Sequence, residues 1–193
     1  MRSYRVYENM NPQKDISGED FDLVSQVNEC MMLSRIFDVV KTDIARQGVG
    51  HCRRIVFEHN EEKDLRMKNY YDMMIIMKNL LSGSIRSESR EIRVKTEISD
   101  GDLIVTVADD GTGISRKEKP FIFSPEFSTK DETGEDRKRG RGLLLYNVRK
   151  AVINSRGKLQ IHSEENQGTT VIVRFPLTQV LADDNAKLIV MNK

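Results

Sequence analysis

An acid followed by two alternating glycines, Asp109-Asp110-Gly111-Thr112-Gly113-Ile114, comes directly after an apolar alternation at Leu103, Val105 and Val107. Glycine lets backbone approach a bound group where a Cβ would clash. The Asp109 carboxylate is then left to accept a hydrogen bond from an exocyclic amine. A plain turn at the end of a hairpin would use the same residues. A second stretch, Arg139-Gly140-Arg141-Gly142-Leu143-Leu144-Leu145-Tyr146, is a glycine-rich run leading into a helical pattern. Free amides at a helix N-terminus, with the helix dipole behind them, suit a phosphate. A third, Asn79-Leu80-Leu81-Ser82-Gly83-Ser84-Ile85-Arg86, places Asn79 one helical turn before Gly83. Between the first two runs, Lys130, Arg137, Lys138, Arg139 and Arg141 mix with Asp131, Glu132, Glu135 and Asp136. A solvated loop accounts for that mixture, and so does a charge-assisted clamp in which Lys130 or Arg141 meets a phosphate.

The elements that must position these residues are legible from periodicity. Apolar residues recur at helical spacing from Phe21 to Gln47 (Val24, Val27, Met31, Ile36, Val40, Ile44), and Gly48 and Gly50 close that helix. Residues 54–58 predict a short strand. A second long helix runs from about Met67 to Arg86, with Met74, Met77, Leu81 and Ile85 on one face. Ile92, Val94 and Ile98 alternate with polar residues, as do Leu103, Val105 and Val107, and Asp100-Gly101 between them predicts a tight β-hairpin. Residues 115–141 have no sustained period and predict a long mobile loop. A third helix follows over Leu143 to Ser155, with Gly157 past its end. Two strands, 158–163 and 169–175, join through Asn166-Gln167-Gly168.

Composition narrows the field. Thirty-one basic and 30 acidic side chains leave a net charge of +1, which argues against a general nucleic-acid or membrane-surface binder. No apolar run approaches the roughly 20 residues of a membrane span, and the first 15 residues lack the apolar core of a signal peptide. Cys30 and Cys52 form neither a disulfide framework nor a metal-ligand spacing, as expected of reduced thiols in the cytoplasm.

The order of these stretches, together with the ending from Ser163 to Pro176, resembles the catalytic ATP-binding domain of sensor histidine kinases, in the superfamily of gyrase, Hsp90 and MutL. The resemblance covers about residues 52–177. DDGTGI is similar to the first glycine box, FIFSPEFSTK (121–130) to the phenylalanine box, and GRGLLLYNVRKAV (140–152) to the second glycine box and its helix. The resemblance implies an α+β, two-layer sandwich, with helices on one face of a mixed, mostly antiparallel sheet. It implies ATP as ligand, with Asp109 as the adenine-reading acid. Asn79, Arg86, Gly111, Gly113, Ile114, Lys130, Gly140, Arg141, Gly142, Leu143 and Thr169 would surround the nucleotide. It divides the chain into an N-terminal arm and helix (1–50), a linker or remnant of a dimerisation helix, then the ATP-binding domain (51–178) and a tail (179–193).

Two positions depart from the pattern. The family's second helix reads Asn-Leu-Leu-x-Asn-Ala, and its second Asn supplies an oxygen to Mg²⁺; here that position is Gly83, followed by Ser84. Asn79, one turn earlier, is the substitute metal ligand on the same face. Leu144 stands where the second glycine box has its last glycine. Mg²⁺ binding is therefore expected to be weak or lost. His51, His59 and His162 all lie off long helices, so the phospho-acceptor histidine is expected outside this chain. The implied partners are a histidine-bearing dimerisation domain or a response regulator, with a homodimer through the N-terminal helix. The competing readings are an inactive pseudokinase or adaptor that binds partner proteins, and an anti-sigma-type serine kinase. The phenylalanine box with Lys130 and the Pro176 ending count against the latter. The gyrase, Hsp90 or MutL branch would need transducer domains. Without nucleotide, amide exchange from Ser115 to Gly140 is expected to be the fastest in the domain; uniformly slow exchange there would remove the lid assignment.

Overall fold

The computed structural model describes residues 4–8, 31–48, 52, 54–59, 64–68, 70–125 and 143–182. Six strands form the main sheet: β1 (Tyr4–Glu8), β3 (Arg54–Glu58), β5 (Glu91–Ser99), β6 (Asp102–Asp109), β7 (Lys158–Glu164) and β8 (Gly168–Pro176). Their order is β1-β3-β5-β6-β8-β7. Only β3 and β5 run parallel; the remaining pairs are antiparallel. A parallel pair needs a crossover, and the second helix, α2 (Tyr70–Arg86), supplies it. Two further helices, α1 (Leu33–Gln47) and α3 (Leu143–Asn154), pack on either side of α2.

The hairpin expected at Asp100-Gly101 is present, and both central residues have positive φ, 52° and 81°. That is the turn whose twist matches its strands. Along β5, β6 and β8 alternate residues face one core: Ile92 and Val94, Leu103, Val105 and Val107, then Val171, Val173 and Phe175. The helices cover that face with Ile36, Phe37, Val40, Ile76, Met77, Leu80, Leu81, Val148 and Val152. The result is the expected two-layer α+β sandwich with a mixed, mostly antiparallel sheet.

Helix starts and ends differ from the expected ones for reasons that lie far away in sequence. The first helix begins at Leu33, not Phe21, and Met31–Met32 form a short strand, β2, paired with β4 (Arg66–Met67). Residues 21–30 lie outside the described residues. Asp64 caps the start of α1 by accepting from the Ser34 amide (3.0 Å) and the Ser34 hydroxyl, and the Leu33 amide donates to the Leu65 carbonyl (2.8 Å). The buried stripe of α2 is centred on Met73, Ile76, Met77, Leu80, Leu81 and Ser84, with Met74 and Ile85 only partly buried. Because α1 and α3 flank this helix, its covered arc is wider than one stripe.

Both α2 and α3 end in the same backbone motif with a charged residue in the left-handed position. Glu88 (φ 61°) follows α2, where the Ser89 amide returns to the Ser84 carbonyl and the Glu88 amide to that of Ile85. Arg156 (φ 53°) follows α3, where the Gly157 amide returns to Val152 and the Arg156 amide to Ile153. Gly157 serves packing instead: a Cβ there would lie 2.7 Å from the Phe175 ring.

The chain beyond the expected domain boundary at 178 stays in the core. A short helix, α4 (Leu177–Val180), leads to Leu181, which bridges to Met67; Val180 and Leu181 are fully buried. At the other boundary α1 contributes Leu33, Ile36, Phe37, Val40 and Ile44 to the same cluster as the sheet. Phe175 sits at the centre of that cluster, 1% exposed. Phe175→Ala is expected to cost about 3–5 kcal/mol through lost transfer energy plus the cavity left behind, read as a lower urea midpoint; a loss under about 1 kcal/mol would mean the site collapses freely.

Candidate functional site

The acid–glycine loop, residues 109–114, leaves the end of β6 and is held from two sides. On one side is the C-terminal end of α2. Asp109 Oδ2 accepts from the Ser84 hydroxyl at 2.7 Å, and Oδ1 accepts from the Gly111 amide at 3.0 Å and the Ser87 hydroxyl at 3.4 Å. The Thr112 amide donates to the Ser87 carbonyl at 2.8 Å. On the other side is the β7–β8 hairpin. The Asn166 amide donates to the Thr112 carbonyl (2.7 Å), and the Ile114 amide to Ser163 Oγ (2.8 Å). The buried Ser163 hydroxyl in turn donates to the Gly168 carbonyl at 2.9 Å and lies 2.9 Å from Thr169 Oγ1.

Both loop glycines approach the protein itself closely. A Cβ on Gly111 would overlap Ser87 Oγ and lie 2.6 Å from the Ser87 carbonyl oxygen. A Cβ on Gly113 (φ 66°) would overlap the Glu164 carbonyl oxygen. Gly168 likewise sits against the Asp109 carbonyl.

The adjacent acids divide their labour. Asp110 Oδ1 accepts from the Arg90 amide (2.7 Å) and the Glu91 amide (2.9 Å), so its carboxylate ties the loop to the start of β5. Asp109 is half-buried against α2. An ionised carboxylate has about four acceptor positions; the Ser84 hydroxyl and the Gly111 amide fill two on Asp109, while the single Ser87 proton lies closer to the Ser84 carbonyl, at 2.8 Å. Burial pushes the nearby Cys52 thiol up from its ordinary value, against a backbone hydrogen bond with Arg54, and the Asp110 and Asp109 carboxylates add to the rise, which keeps the thiol protonated.

The structure brings Asp109, Gly111, Gly113, Ile114 and Thr169 together at this end of β6 and β8, since Asp109 pairs with Thr169. Gly83 and Leu144 face each other: among the described residues, Leu144 Cδ1 lies 3.8 Å from a Cβ built on Gly83, an ordinary van der Waals distance. Leu143 opens α3. Asn79 is half-buried and turns its amide nitrogen back to the Ile75 carbonyl at 2.7 Å. Arg86 is exposed in the last turn of α2. Lys130, Gly140, Arg141 and Gly142 lie outside the described residues, as does His51. His59 Nδ1 lies 3.0 Å from Thr96 Oγ1 with its ring edge-on to Phe37, and His162 is exposed on β7. Sequence reasoning missed Ser87 and Ser163, which position the loop. The serine spacing in Ser82-Gly83-Ser84-Ile85-Arg86-Ser87-Glu88-Ser89 was the available signal.

An α+β sandwich with an acid–glycine loop clamped between a helix end and the last hairpin defines an ATPase-type domain. Residues 69–179 match the family model described as Histidine kinase-, DNA gyrase B-, and HSP90-like ATPase, and the chain belongs to that family. Sensor protein kinase GraS of Staphylococcus aureus (strain Newman) is 33% identical over 110 residues, which are 56% of this chain and 31% of GraS. Sensor histidine kinase GraS of strain NCTC 8325 / PS 47 matches to the same extent. The chain thus spans under a third of the length of the curated relatives it matches. Among solved structures, the mycobacterial sensor histidine kinase MprB aligns with a TM-score of 0.59 at 19% identity, covering 78% of this chain and 97% of that one. The catalytic domain of histidine kinase ThkA aligns with a TM-score of 0.55 at 22% identity, covering 76% and 93%. These two likenesses show the fold.

Gly113→Ala is expected to cost more than about 1 kcal/mol, because it combines a left-handed backbone with an overlap against a carbonyl. Thermal unfolding would show it, and a melting temperature equal to that of the unsubstituted protein would mean the loop can shift away from Glu164.

Proposed function

We propose that this chain is the ATP-binding catalytic domain of a two-component histidine kinase, and that Asp109 reads the adenine amine. One observation carries the reading. Asp109 is the half-buried acid at the end of the central strand β6, oriented by the Ser84 hydroxyl and the Gly111 amide with acceptor positions left open. Asp110, its neighbour, is exposed and turned to the amides that start β5. Gly111, Gly113, Ile114 and Thr169 are the residues proposed around the base, and Gly140, Arg141, Gly142 and Leu143, by the family pattern, those proposed for the phosphates. Lys130, Arg141 and Arg86 are the cations proposed for the phosphate chain.

Phosphoryl transfer rests on positioning and charge neutralisation and asks little covalent work of the protein. The acceptor is a histidine on a helical dimerisation domain, and a response regulator is the downstream partner. Self-association through the N-terminal helix meets a constraint. Within α1, Ile36, Phe37, Val40 and Ile44 are already buried against the chain's own core, so a dimer contact there would use the opposite, polar face. A second reading, an adaptor that binds nucleotide without transferring phosphate, is favoured by the Gly83–Leu144 contact.

Asp109→Ala is expected to weaken adenine-nucleotide binding by about 1–3 kcal/mol, the usual cost of orphaning a polar partner. Titration with a fluorescent ATP analogue checks this, with circular dichroism to show that the variant stays folded. Equal affinity in the two proteins would remove the assignment.

A further inference from the structure

Magnesium requires hard oxygen donors in near-octahedral geometry and gives up its water reluctantly. The α2–α3 seam meets neither demand. Gly83 has no side chain, and the space a Cβ would open into is bounded by the Leu144 methyl at 3.8 Å. Asn79, one turn earlier, has its amide nitrogen tied to the Ile75 carbonyl at 2.7 Å, which leaves Oδ1 as a single oxygen donor where octahedral coordination asks for several. The first turn of α3 carries no acidic residue. Among the described residues, no three His, Cys, Asp or Glu side chains converge on a metal position. The residues present do not fit the cation.

We infer that Leu144 over Gly83 closes the metal subsite, and that the pocket takes an adenine nucleotide without a divalent cation. This rests on the adenine-reading role proposed for Asp109 and goes further by naming the ligand's ionic form. The base end of the site is intact and polar, whereas the seam beside Gly83 is aliphatic. Cation binding there would leave a hydrated ion against a methyl group, with Asn79 Oδ1 as the available oxygen on that stretch of α2 among the described residues.

Calorimetric titration of the unsubstituted protein with adenosine, ADP and ATP, each in saturating Mg²⁺ and in EDTA, decides the matter. The expected result is that each affinity changes by less than about threefold between the two conditions, against the ten- to hundredfold that loss of a supporting metal group typically costs. In the Gly83→Asn/Leu144→Gly double variant, ATP binding is expected to tighten by about tenfold on adding Mg²⁺, with adenosine unchanged. ATP binding to the unsubstituted protein that tightens tenfold or more with Mg²⁺ would overturn the inference while leaving the Asp109 reading in place. If that gain disappears in Asn79→Ala, Asn79 is the ligand. Failure of all three ligands to bind in either condition would overturn both. Should the double variant not fold, the comparison on the unsubstituted protein still gives the answer.

Discussion

Close contact between one loop and two neighbours organises this end of the molecule. Residues 109–114 pass between the end of α2 and the β7–β8 hairpin with no room for side-chain carbon at Gly111, Gly113 or Gly168. Backbone amides and carbonyls that would otherwise be stranded are paired across these contacts, Thr112 with Ser87 and Asn166, and Ile114 with Ser163. A buried amide left without a partner costs about as much as a lost hydrogen bond, so the three pieces hold together as a unit. The position of Asp109 follows from that unit. Its carboxylate is oriented by the Ser84 hydroxyl of α2, and its main chain by the register of β6 against β8.

The same logic makes α2 the element that links the core to the site. Its buried face holds Met73, Ile76, Met77 and Leu80 against the sheet and its flanking helices. Its last turn delivers Ser84, whose hydroxyl serves Asp109 while its carbonyl accepts from the Ser87 hydroxyl at 2.8 Å and the Ser89 hydroxyl at 2.6 Å. Serine in a helix end can satisfy backbone and site together because its hydroxyl both donates and accepts. Asp72 at the other end of α2 accepts from Ser155 at the end of α3, so the two helices are pinned at one end by this bond and touch at the other through Gly83 and Leu144.

Much of this was legible in the sequence. Period-two alternation located β5, β6 and β8, and Asp100-Gly101 named its own turn. The acid–glycine run identified the loop that the structure places at the end of β6. What could not be read depends on partners distant along the chain. The start of α1 is set by Asp64, some thirty residues on. The ends of α2 and α3 use Glu88 and Arg156 in a conformation usually given to glycine, while Gly157 answers to the Phe175 ring. Glycine in a sequence says that a Cβ is unwelcome, and only the fold says whether protein or ligand makes it so. The tail after Pro176 lacked periodicity because four helical residues and a single bridge are too short to show one.

The turn of the last hairpin carries a consequence for how this family member can vary in length. Residues 165–167 join two strands, and surface turns of that kind ordinarily accept insertions. Here Asn166 donates to the Thr112 carbonyl, and Gly168, directly after the turn, lies against the Asp109 carbonyl. One added residue would move Gly168 out of that position and bring a side chain towards Asp109. A deletion would pull Asn166 off the loop. The tip of this hairpin, although solvent-exposed, is therefore a poor place for a tag, a label or a grafted peptide.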